Sequence, residues 1–379
     1  MKIALVHDFL KEYGGAERVL EVLHEIWPNA PIFTSFIDPE GLGPHWERIK
    51  KWHVITSWAQ KIPYISQIYS PLRFLAPYFF ESFDFSDFDV VITSTNAYYA
   101  KGIITRPETT HFCYCHTPPR SLYGYPTRMN WRKNVFTRIY GYLINHLLRE
   151  YDFLAAQRVN YFIANSEEVK KRIEKFYRRD SLVIYPPVDL AVSHSQSAIN
   201  KYNKNKEAKS QEPIANSYYL YVGKLAAAKN VYLAIEAVKD LGFRLKIVGK
   251  GGEEDSLRKI ANLNIEFLGE VDDKQLVELY KNCLAVIFPA ADEDFGIVPV
   301  EAMSFGKPII AFKNGGVVET VINGKTGVFF TQPTVESLVG GIKKLNKLKI
   351  NPDECKKQAG KFSKKVFVKK MKELVENYL

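Results

Sequence analysis

The fold is indicated most directly by residues 284–301, which read Leu-Ala-Val-Ile-Phe-Pro-Ala-Ala-Asp-Glu-Asp-Phe-Gly-Ile-Val-Pro-Val-Glu. The apolar run over residues 284–289 predicts a buried strand of a parallel sheet, because helices cover both faces of such sheets. The turn after it carries Glu293 and Glu301 around a Phe-Gly pair, at the start of a predicted helix. Ligands of open α/β sheets bind beyond the carboxyl ends of the strands, so this turn is a candidate ligand site.

Two interpretations of these acids remain open from the sequence. Carboxylates in the first turn of a helix complement the helix dipole, which requires no ligand. Alternatively, the free N–H groups of that turn bind a phosphate, while Glu293 and Glu301 accept hydrogen bonds from the hydroxyl groups of one polyol.

Length and composition indicate a soluble protein of two domains. The chain has 379 residues, of which 46% are hydrophobic and 25% are charged, so most of it is expected to fold. Its net charge of +10 suits nucleic acid, an anionic membrane surface or an anionic substrate. Neither a zinc-finger spacing nor an aromatic RNA-binding consensus accompanies the charge, so no nucleic acid partner is expected.

An anionic membrane surface is the partner that the charge favours more. Residues 58–85 combine Lys61 and Arg73 with many aromatic residues, a composition that suits a headgroup layer or an irregular, partly buried insertion. The sequence has no apolar run of the roughly 20 residues that span a bilayer, and it begins directly with a strand pattern rather than a signal peptide. We therefore expect a cytoplasmic protein, peripheral on the inner face of the plasma membrane.

The cysteines do not indicate a disulfide framework or a metal site. Cys113, Cys115 and His116 lie close in sequence, but no second ligand cluster accompanies them, and free cysteine is commonly a small buried hydrophobe. Asp292 and Asp294 form an isolated Asp-x-Asp pair, which is commonplace. No metal and no cofactor are therefore expected.

Strand and helix patterns alternate through both halves of the chain, as in doubly wound parallel sheets. We predict two Rossmann-like domains that face a central cleft, with a final helix that crosses back to the first domain. The predicted boundaries are a first domain over residues 1–190, a polar linker over 191–216, a second domain over 217–361 and the returning helix over 362–379. In the first half, strands are predicted at 3–6, 90–93, 111–115 and 161–164. Helices are predicted at 15–26 and from Ser166 to Tyr177, and a long amphipathic helix is predicted at 134–158. In the second half, strands are predicted at 218–222, 244–248 and 265–268, and helices at 231–239 and 253–261.

Three further groups of residues follow predicted strands. Gly14 and Gly15 enter the first helix, where glycines let the backbone approach a phosphate, although a Gly-Gly pair is also common in a plain tight turn. Lys224 and Lys229 stand near a helix start, where the dipole disfavours cations, so they are either solvated surface lysines or held by an anion such as a diphosphate. His116 follows the 111–115 strand and is either a hydrogen-bonding group for a sugar or a structural histidine.

Together these residues resemble those of glycosyltransferase family 4, the retaining transferases of GT-B fold, over nearly the whole chain. The resemblance rests on the Glu-x7-Glu spacing of Glu293 and Glu301, and on residues 223–225, Gly-Lys-Leu, followed by Lys229. It rests also on residues 315–319, Gly-Gly-Val-Val-Glu, and 323–327, Asn-Gly-Lys-Thr-Gly. One departure is Lys224, which stands where the family usually has arginine, so the charge is kept but the bidentate fork is lost.

The resemblance implies a role for each candidate residue. Glu293 would contact hydroxyl groups of the donor sugar and Glu301 the ribose, while Lys224 and Lys229 would bind the diphosphate. The remaining candidates would contact the donor through the backbone or beside the transferred sugar. These are Phe295, Gly296, Ile297 and Val298 for sugar and phosphate, Gly14 and Gly15 for phosphate, Val271 for the base and His116 for the sugar.

The expected activity is transfer of a hexose from a GDP- or UDP-linked sugar to a glycan, polysaccharide or lipid-linked acceptor, without a metal. Residues 115–120, Cys-His-Thr-Pro-Pro-Arg, are similar to members that use GDP-mannose, so mannose is the leading donor sugar. The family implies retention of configuration by front-face attack. Two alternatives stay open: an epimerase or phosphorylase on the same fold, and a non-enzymatic basic protein that binds membranes or nucleic acid.

Overall fold

The structure is a computed structural model, and it describes residues 1–96, 99–125, 135–188 and 217–378. The predicted linker at residues 191–216 lies outside the described residues, as does Asn134 at the start of the predicted long helix. Contacts divide the chain into two compact units. One comprises Met1–Pro187 with Phe367–Leu379, and the other Val188–Val366.

The first unit contains a seven-stranded parallel sheet within the described residues. Its strands are β1 (Ile3–His7), β2 (Ile32–Thr34), β3 (Val54–Thr56), β4 (Val90–Thr95), β5 (Thr110–Cys115), β6 (Tyr161–Ala164) and β7 (Ser181–Val183), and their order is β3, β2, β1, β4, β5, β6, β7. Its helices are α1 (Gly15–Ile26), α2 (Pro39–Leu42), α3 (Trp46–Ile49), α4 (Ile65–Ile68), α5 (Ala76–Glu81), α6 (Val135–Arg158) and α7 (Glu167–Tyr177). The strand order reverses between β1 and β4, which is the topological switch point of the sheet.

The second unit repeats this architecture with six parallel strands in its described part. They are β8 (Tyr219–Val222), β9 (Leu245–Val248), β10 (Ile265–Gly269), β11 (Val286–Phe288), β12 (Ile309–Phe312) and β13 (Gly327–Phe330), in the order β10, β9, β8, β11, β12, β13. The helices are α8 (Val231–Asp240), α9 (Glu254–Ile260), α10 (Asp273–Asn282), α11 (Ile297–Ser304), α12 (Val317–Thr320), α13 (Val335–Asn346) and α14 (Pro352–Gly360). Here the switch point falls between β8 and β11.

The last helix, α15 (Lys364–Asn377), contributes side chains to the core of the first unit. Phe367, Met371 and Val375 are buried in the same cluster as Leu5 of β1. The ring of Phe367 lies 5.8 Å from that of Tyr114 in β5. The prediction of a final helix that returns to the first domain is therefore confirmed.

Several local predictions agree with the structure and one needs correction. The helix predicted over residues 15–26 is α1, and Ser166 caps α7 by accepting a hydrogen bond from the amide of Val169 at 3.1 Å. The helix predicted over 134–158 is α6, but it lacks the single apolar face of an amphipathic helix. Leucines lie on its exposed face as well as on its buried face, so the apolar positions do not form a single stripe.

Candidate active site

The predicted site residues fall into one set in each unit. In the second unit, the lysine loop (residues 223–230) follows β8 and the acidic loop (residues 289–296) follows β11. These two strands are hydrogen-bonded neighbours at the switch point, so their carboxyl ends bring the two loops side by side.

Lys229 and Glu293 join the two loops through a direct contact. The ammonium of Lys229 donates to the Glu293 carboxylate, and the two side chains are 29% and 21% exposed. Asn230 Nδ2 donates to the carbonyl of Pro289 at 3.2 Å, and the amide of Ala291 donates to the carbonyl of Ala228 in the lysine loop at 3.2 Å. The contact with Glu293 explains why a cation stands here against the helix dipole. An ammonium has three donors, so this pair can also accommodate an anionic ligand.

A glycine turn, residues 313–316 after β12, packs against the backbone of the acidic loop. The amide of Gly316 donates to the carbonyl of Glu293 at 2.8 Å, and the amide of Asp292 donates to Asn314 Oδ1 at 2.5 Å. A Cβ atom on Gly315 would lie 2.4 Å from the carbonyl oxygen of Glu293, and one on Gly316 would lie 2.4 Å from that of Asp294. The backbones are therefore in contact, and only glycine allows this approach.

The acidic loop leads directly into α11. Gly296 has φ of 84° and precedes Ile297, the first residue of the helix. Phe295 is 3% exposed and its ring lies 5.5 Å from that of Phe362, which anchors the loop in the core. The amides of Ile297 and Val298 have no partner inside the helix because they belong to its first turn, so they provide favourable potential for an anion.

Glu301 and Lys224 lie on either side of this arrangement. Glu301, one turn into α11, accepts a hydrogen bond from the buried hydroxyl of Tyr280 at 3.0 Å, which fixes the carboxylate. The side chain of Lys224 is exposed, and its carbonyl accepts a hydrogen bond from Tyr221 at 3.0 Å. Burial and the charge of Glu293 raise the pKa of Tyr221, so the phenol stays protonated and keeps this bond.

Val271 is less closely associated with the other candidates. It follows the edge strand β10, whereas the lysine loop follows β8, and β9 lies between these two strands. The structure therefore does not bring Val271 into the group formed by Lys229, Glu293 and Gly296.

The loop after β9, Gly249-Lys250-Gly251-Gly252, was not predicted to be part of the site. The amide of Leu225 donates to the carbonyl of Lys250 at 2.9 Å, and a Cβ atom on Gly251 would lie 2.1 Å from the Leu225 carbonyl oxygen. This loop therefore supports the lysine loop in the way that the glycine turn supports the acidic loop. Its three glycines after a predicted strand were the available signal.

In the first unit, a chain of polar groups crosses the carboxyl ends of β1, β4 and β5. Glu17 accepts a hydrogen bond from the amide of Gly14 at 2.8 Å, and its other oxygen lies 3.5 Å from His7 Nε2. His7 Nδ1 lies 3.1 Å from Ser94 Oγ, which lies 2.9 Å from His116 Nε2. Gly15 begins α1 directly after Gly14, as predicted. Of these residues, His7, Glu17 and Ser94 were not predicted to be parts of a site.

Burial keeps His116 neutral. The side chain is 7% exposed, and desolvation together with the neighbouring His7 lowers the pKa of His116 to about 3. A neutral imidazole both donates and accepts a hydrogen bond, which suits recognition of a hydroxyl group. Cys113 and Cys115 are also buried, in a cluster with apolar side chains of β6 and α7.

Asp8, next to His7, is hydrogen-bonded to described residues at and beyond the end of β4. Its carboxylate accepts hydrogen bonds from the amides of Asn96 at 2.7 Å and Ala100 at 2.9 Å, and from the hydroxyl of Thr95 at 3.2 Å. A polar side chain directly after the first strand was the sequence signal for this position, but its partners lie 87 to 92 residues away.

Two doubly wound parallel sheets, each with polar loops at its switch point, are the architecture of the GT-B fold. This chain belongs to the glycosyltransferase family 4 and group 1 transferases: the family model described as "Glycosyltransferase Family 4" matches residues 13–192, and the one described as "Glycosyl transferases group 1" matches residues 203–362. The matches together cover most of the chain, and they confirm the resemblance inferred from the sequence.

Individual relatives are distant. An uncharacterised glycosyltransferase of Methanocaldococcus jannaschii is 28% identical over 54% of this chain and 54% of that protein, so the alignment spans about half of each. The alpha-1,3/1,6-mannosyltransferase ALG2 of Dictyostelium discoideum is 25% identical over 69% of each chain.

Solved structures share the fold. The sucrose-phosphate synthase of Thermosynechococcus elongatus is 16% identical, with a TM-score of 0.72 over 100% of this chain and 99% of that one. Anabaena HepE in complex with UDP and glucose is 20% identical, with a TM-score of 0.69 over 99% of each chain. At these identities the likeness concerns the fold alone.

Proposed function

We propose that the chain is a retaining, metal-independent glycosyltransferase that moves a hexose from a nucleotide-diphosphate sugar to a glycan or lipid-linked acceptor. The observation that carries the proposal is the pair of Lys229 and Glu293, which stands at the switch point of the second sheet beside the open first turn of α11. A cation, a fixed carboxylate and free amides at one place suit a ligand that combines phosphates with hydroxyl groups.

Each group in the second unit has a task in this proposal. Lys229, Lys224 and the first-turn amides of α11 bind the diphosphate, and Glu293 accepts hydrogen bonds from hydroxyl groups of the sugar. Glu301, oriented by Tyr280, accepts them from the ribose. We assign the base to the backbone at Val271, beyond the edge of this group.

The first unit contributes a neutral imidazole and a glycine turn. We assign His116 to a hydroxyl group of the transferred sugar, because a neutral ring does not repel the positive charge that develops at the anomeric carbon. We assign Gly14 and Gly15 to the phosphates, since the start of α1 offers amides to an anion and Glu17 orders this turn.

The reaction we propose breaks the bond between the anomeric carbon and the phosphate oxygen, and the electron pair leaves with the nucleoside diphosphate. The acceptor oxygen forms the new bond on the same face, and its proton passes to the departing phosphate. Lys229 and the α11 amides stabilise the negative charge that develops on that phosphate, which is the role that a metal plays in other enzymes.

Mannose, carried by GDP, is the donor sugar we propose. It is supported by residues 115–120, Cys-His-Thr-Pro-Pro-Arg, and by the similarity to the alpha-1,3/1,6-mannosyltransferase ALG2 of Dictyostelium discoideum. A hexose linked to UDP is the alternative donor that the same geometry permits.

The proposal is tested with purified protein, GDP-mannose or UDP-glucose, and extracted glycan and lipid-linked acceptors, with EDTA present. We expect transfer with retention of the anomeric configuration, read by NMR of the product. Lys229→Met should lower donor affinity ~10- to 100-fold, because one charge-assisted hydrogen bond is lost. Glu293→Gln should lower turnover by a similar factor.

Lys246→Met is the matched control. Lys246 is 29% exposed, like Lys229, and lies 3.3 Å from Glu266, but it is on β9, away from both loops. The control should leave donor affinity unchanged. Isomerisation of the donor in the absence of acceptor would indicate an epimerase instead of a transferase. Cleavage that requires inorganic phosphate would indicate a phosphorylase. Absence of affinity for any nucleotide sugar would refute both the transferase and the epimerase.

A further inference from the structure

Helix α6 has an apolar face on the side that is turned away from the core. Its buried side is formed by residues such as Gly141, Asn145 and Leu148. On the other side lie four large apolar residues whose exposed fractions are high: Ile139 at 55%, Leu143 at 65%, Leu147 at 60% and Leu154 at 60%.

The spacing of these four residues places them on one stripe. Ile139, Leu143 and Leu147 follow each other at intervals of four, and Leu154 lies seven further on, so all four project from the same side of the helix. A helix surface that faces water is ordinarily polar. A contiguous exposed apolar surface is typical of a docking site for another molecule.

A second exposed apolar group adjoins this helix. Residues 71–73 of the segment 58–80 contact α6: the hydroxyl of Tyr140 donates to the carbonyl of Pro71, and Arg73 Nη2 donates to Asn145 Oδ1 at 2.8 Å. Several large side chains of this segment are exposed: Trp58 at 41%, Tyr64 at 75%, Phe74 at 40% and Tyr78 at 61%. Tyr64 also has φ of 58°, an unfavourable conformation for this residue type.

The charges of both elements are mainly basic. Residues 58–80 contain no aspartate or glutamate, and α6 contains two acids: Glu150, which is exposed on the same side as the leucines and lies 3.6 Å from His146, and Asp152, which is buried. The basic residues are Lys61 and Arg73 in the segment and Arg138, Arg149 and Arg158 in α6. An apolar surface with aromatic side chains and an excess of basic charges complements an anionic phospholipid layer, in which the apolar groups enter the headgroup region and the cations meet the phosphates.

We propose that the exposed face of α6 and the adjoining residues 58–80 form a docking surface for an anionic phospholipid bilayer. Leucine and isoleucine side chains of α6 and aromatic side chains such as Tyr64 and Tyr78 enter the headgroup layer. Lys61 and Arg138 contact the anionic lipids. This partner goes beyond the proposed transfer reaction, since none of these residues is assigned to the donor.

The proposal is tested by co-sedimentation of the full chain with vesicles, in the absence of any sugar donor. Vesicles of equal parts phosphatidylcholine and phosphatidylglycerol should bind the protein at low salt, and binding should weaken at ~1 M salt, where the Debye length is about 3 Å. Combined replacement of Ile139→Gln, Leu143→Gln and Leu147→Gln should lower the partition coefficient ~100-fold or more, because three apolar side chains no longer leave water.

A second variant measures the contribution of the basic side chains to vesicle binding, and a third variant is a control. Lys61→Gln with Arg138→Gln should lower binding to anionic vesicles ~10-fold and leave the weak binding to pure phosphatidylcholine unchanged. Leu263→Gln with Leu348→Gln is the matched control, because these leucines are 105% and 37% exposed and lie in the second unit. It should bind like the unaltered protein.

The outcome does not depend on the transferase activity, because no donor or acceptor is present. All variants should melt at the temperature of the unaltered protein, since glutamine has a helix propensity close to that of leucine and the replaced side chains are exposed. Equal sedimentation of the α6 variant and the unaltered protein would overturn the proposal, as would absence of binding at low salt. A dimer in light scattering that the α6 variant dissociates would assign this face to a second copy and overturn it too.

Discussion

Replacing Gly316 with alanine should displace the acidic loop. Gly316 has φ of −64° and ψ of −15°, so alanine fits its backbone conformation and the effect is purely one of space. The added Cβ would lie 2.4 Å from the carbonyl oxygen of Asp294 and 2.7 Å from Phe295 Cα. Both are backbone atoms, so no side-chain rotation relieves the overlap.

The magnitude follows from these distances. An ordinary contact begins at 3.4 Å, so the acidic loop must move by ~1 Å to accept the methyl group. Overpacking costs about 1–3 kcal/mol, and backbone contacts lie at the upper end of this range. A loss of ~3 kcal/mol corresponds to a fall of roughly 6–12 °C in melting temperature for a domain of this size. Misplacement by ~1 Å at a reacting site costs about 100-fold in rate.

The assay is thermal unfolding without ligand, combined with binding of GDP and turnover of donor. Gly340→Ala is the control: Gly340 lies within α13, and a Cβ atom there would meet no heavy atom within 4 Å. This control should raise stability by up to ~1 kcal/mol, because alanine is the better helix former. A Gly316→Ala protein that melts with the unaltered one would refute the steric reasoning, whatever its activity.

The remaining predictions concern buried ionisable groups. Burial lowers the pKa of both His111 and His116 to about 3, whereas the unfolded chain titrates near 6.5. The unfolded state therefore binds more protons below pH 6.5, so the free energy of unfolding should fall between pH 6.5 and 3 by up to ~1.4 kcal/mol per pH unit for each histidine. A His111→Gln protein should show a shallower pH dependence of its melting temperature. An equally steep dependence would contradict the prediction. Lys101 and Asp152 form an ion pair with exposed fractions of 1% and 0%, so Asp152→Ala should cost ~3–5 kcal/mol in urea unfolding by leaving a buried cation alone. The double variant Lys101→Met with Asp152→Leu should recover much of the lost free energy of unfolding. Equal losses of this free energy in the single and double variants would argue against the ion pair.

Long apolar runs made most of the fold predictable from the sequence. The strands β1, β4, β5 and β11 each contain consecutive apolar residues that end in a polar or glycine-rich turn, and this pattern indicates a buried parallel strand. The strands β2 and β3 were not predicted, because each consists of only two apolar residues followed by threonine, whereas β11 lies within a longer apolar run. The strands β12 and β13 were also missed, although the sheet order depends on them.

The site was predictable as a set of residues but not as a set of contacts. Lys229 and Glu293 were both candidates, yet they are 64 residues apart, and only the adjacency of β8 and β11 brings them together. The polar chain from Glu17 to His116 was beyond sequence reasoning for the same reason, because His7 and Ser94 pair across neighbouring strands. Single polar residues at strand ends indicate a site, whereas the sheet order decides which of them meet.

Glycine has a role around the second switch point that only the structure reveals. Gly251 lies against the carbonyl of Leu225 in the lysine loop, and Gly316 lies against Asp294 in the acidic loop, each at a distance that excludes any side chain. The loop after β9 therefore supports the lysine loop, and the glycine turn after β12 supports the acidic loop, through backbone contacts without flexible side chains between them. Such contacts leave the loops little freedom, so Lys229 and Glu293 are held in place before a ligand arrives. Rigid placement of charged groups is what makes electrostatic stabilisation of a departing phosphate effective, because no reorganisation is then needed during the reaction.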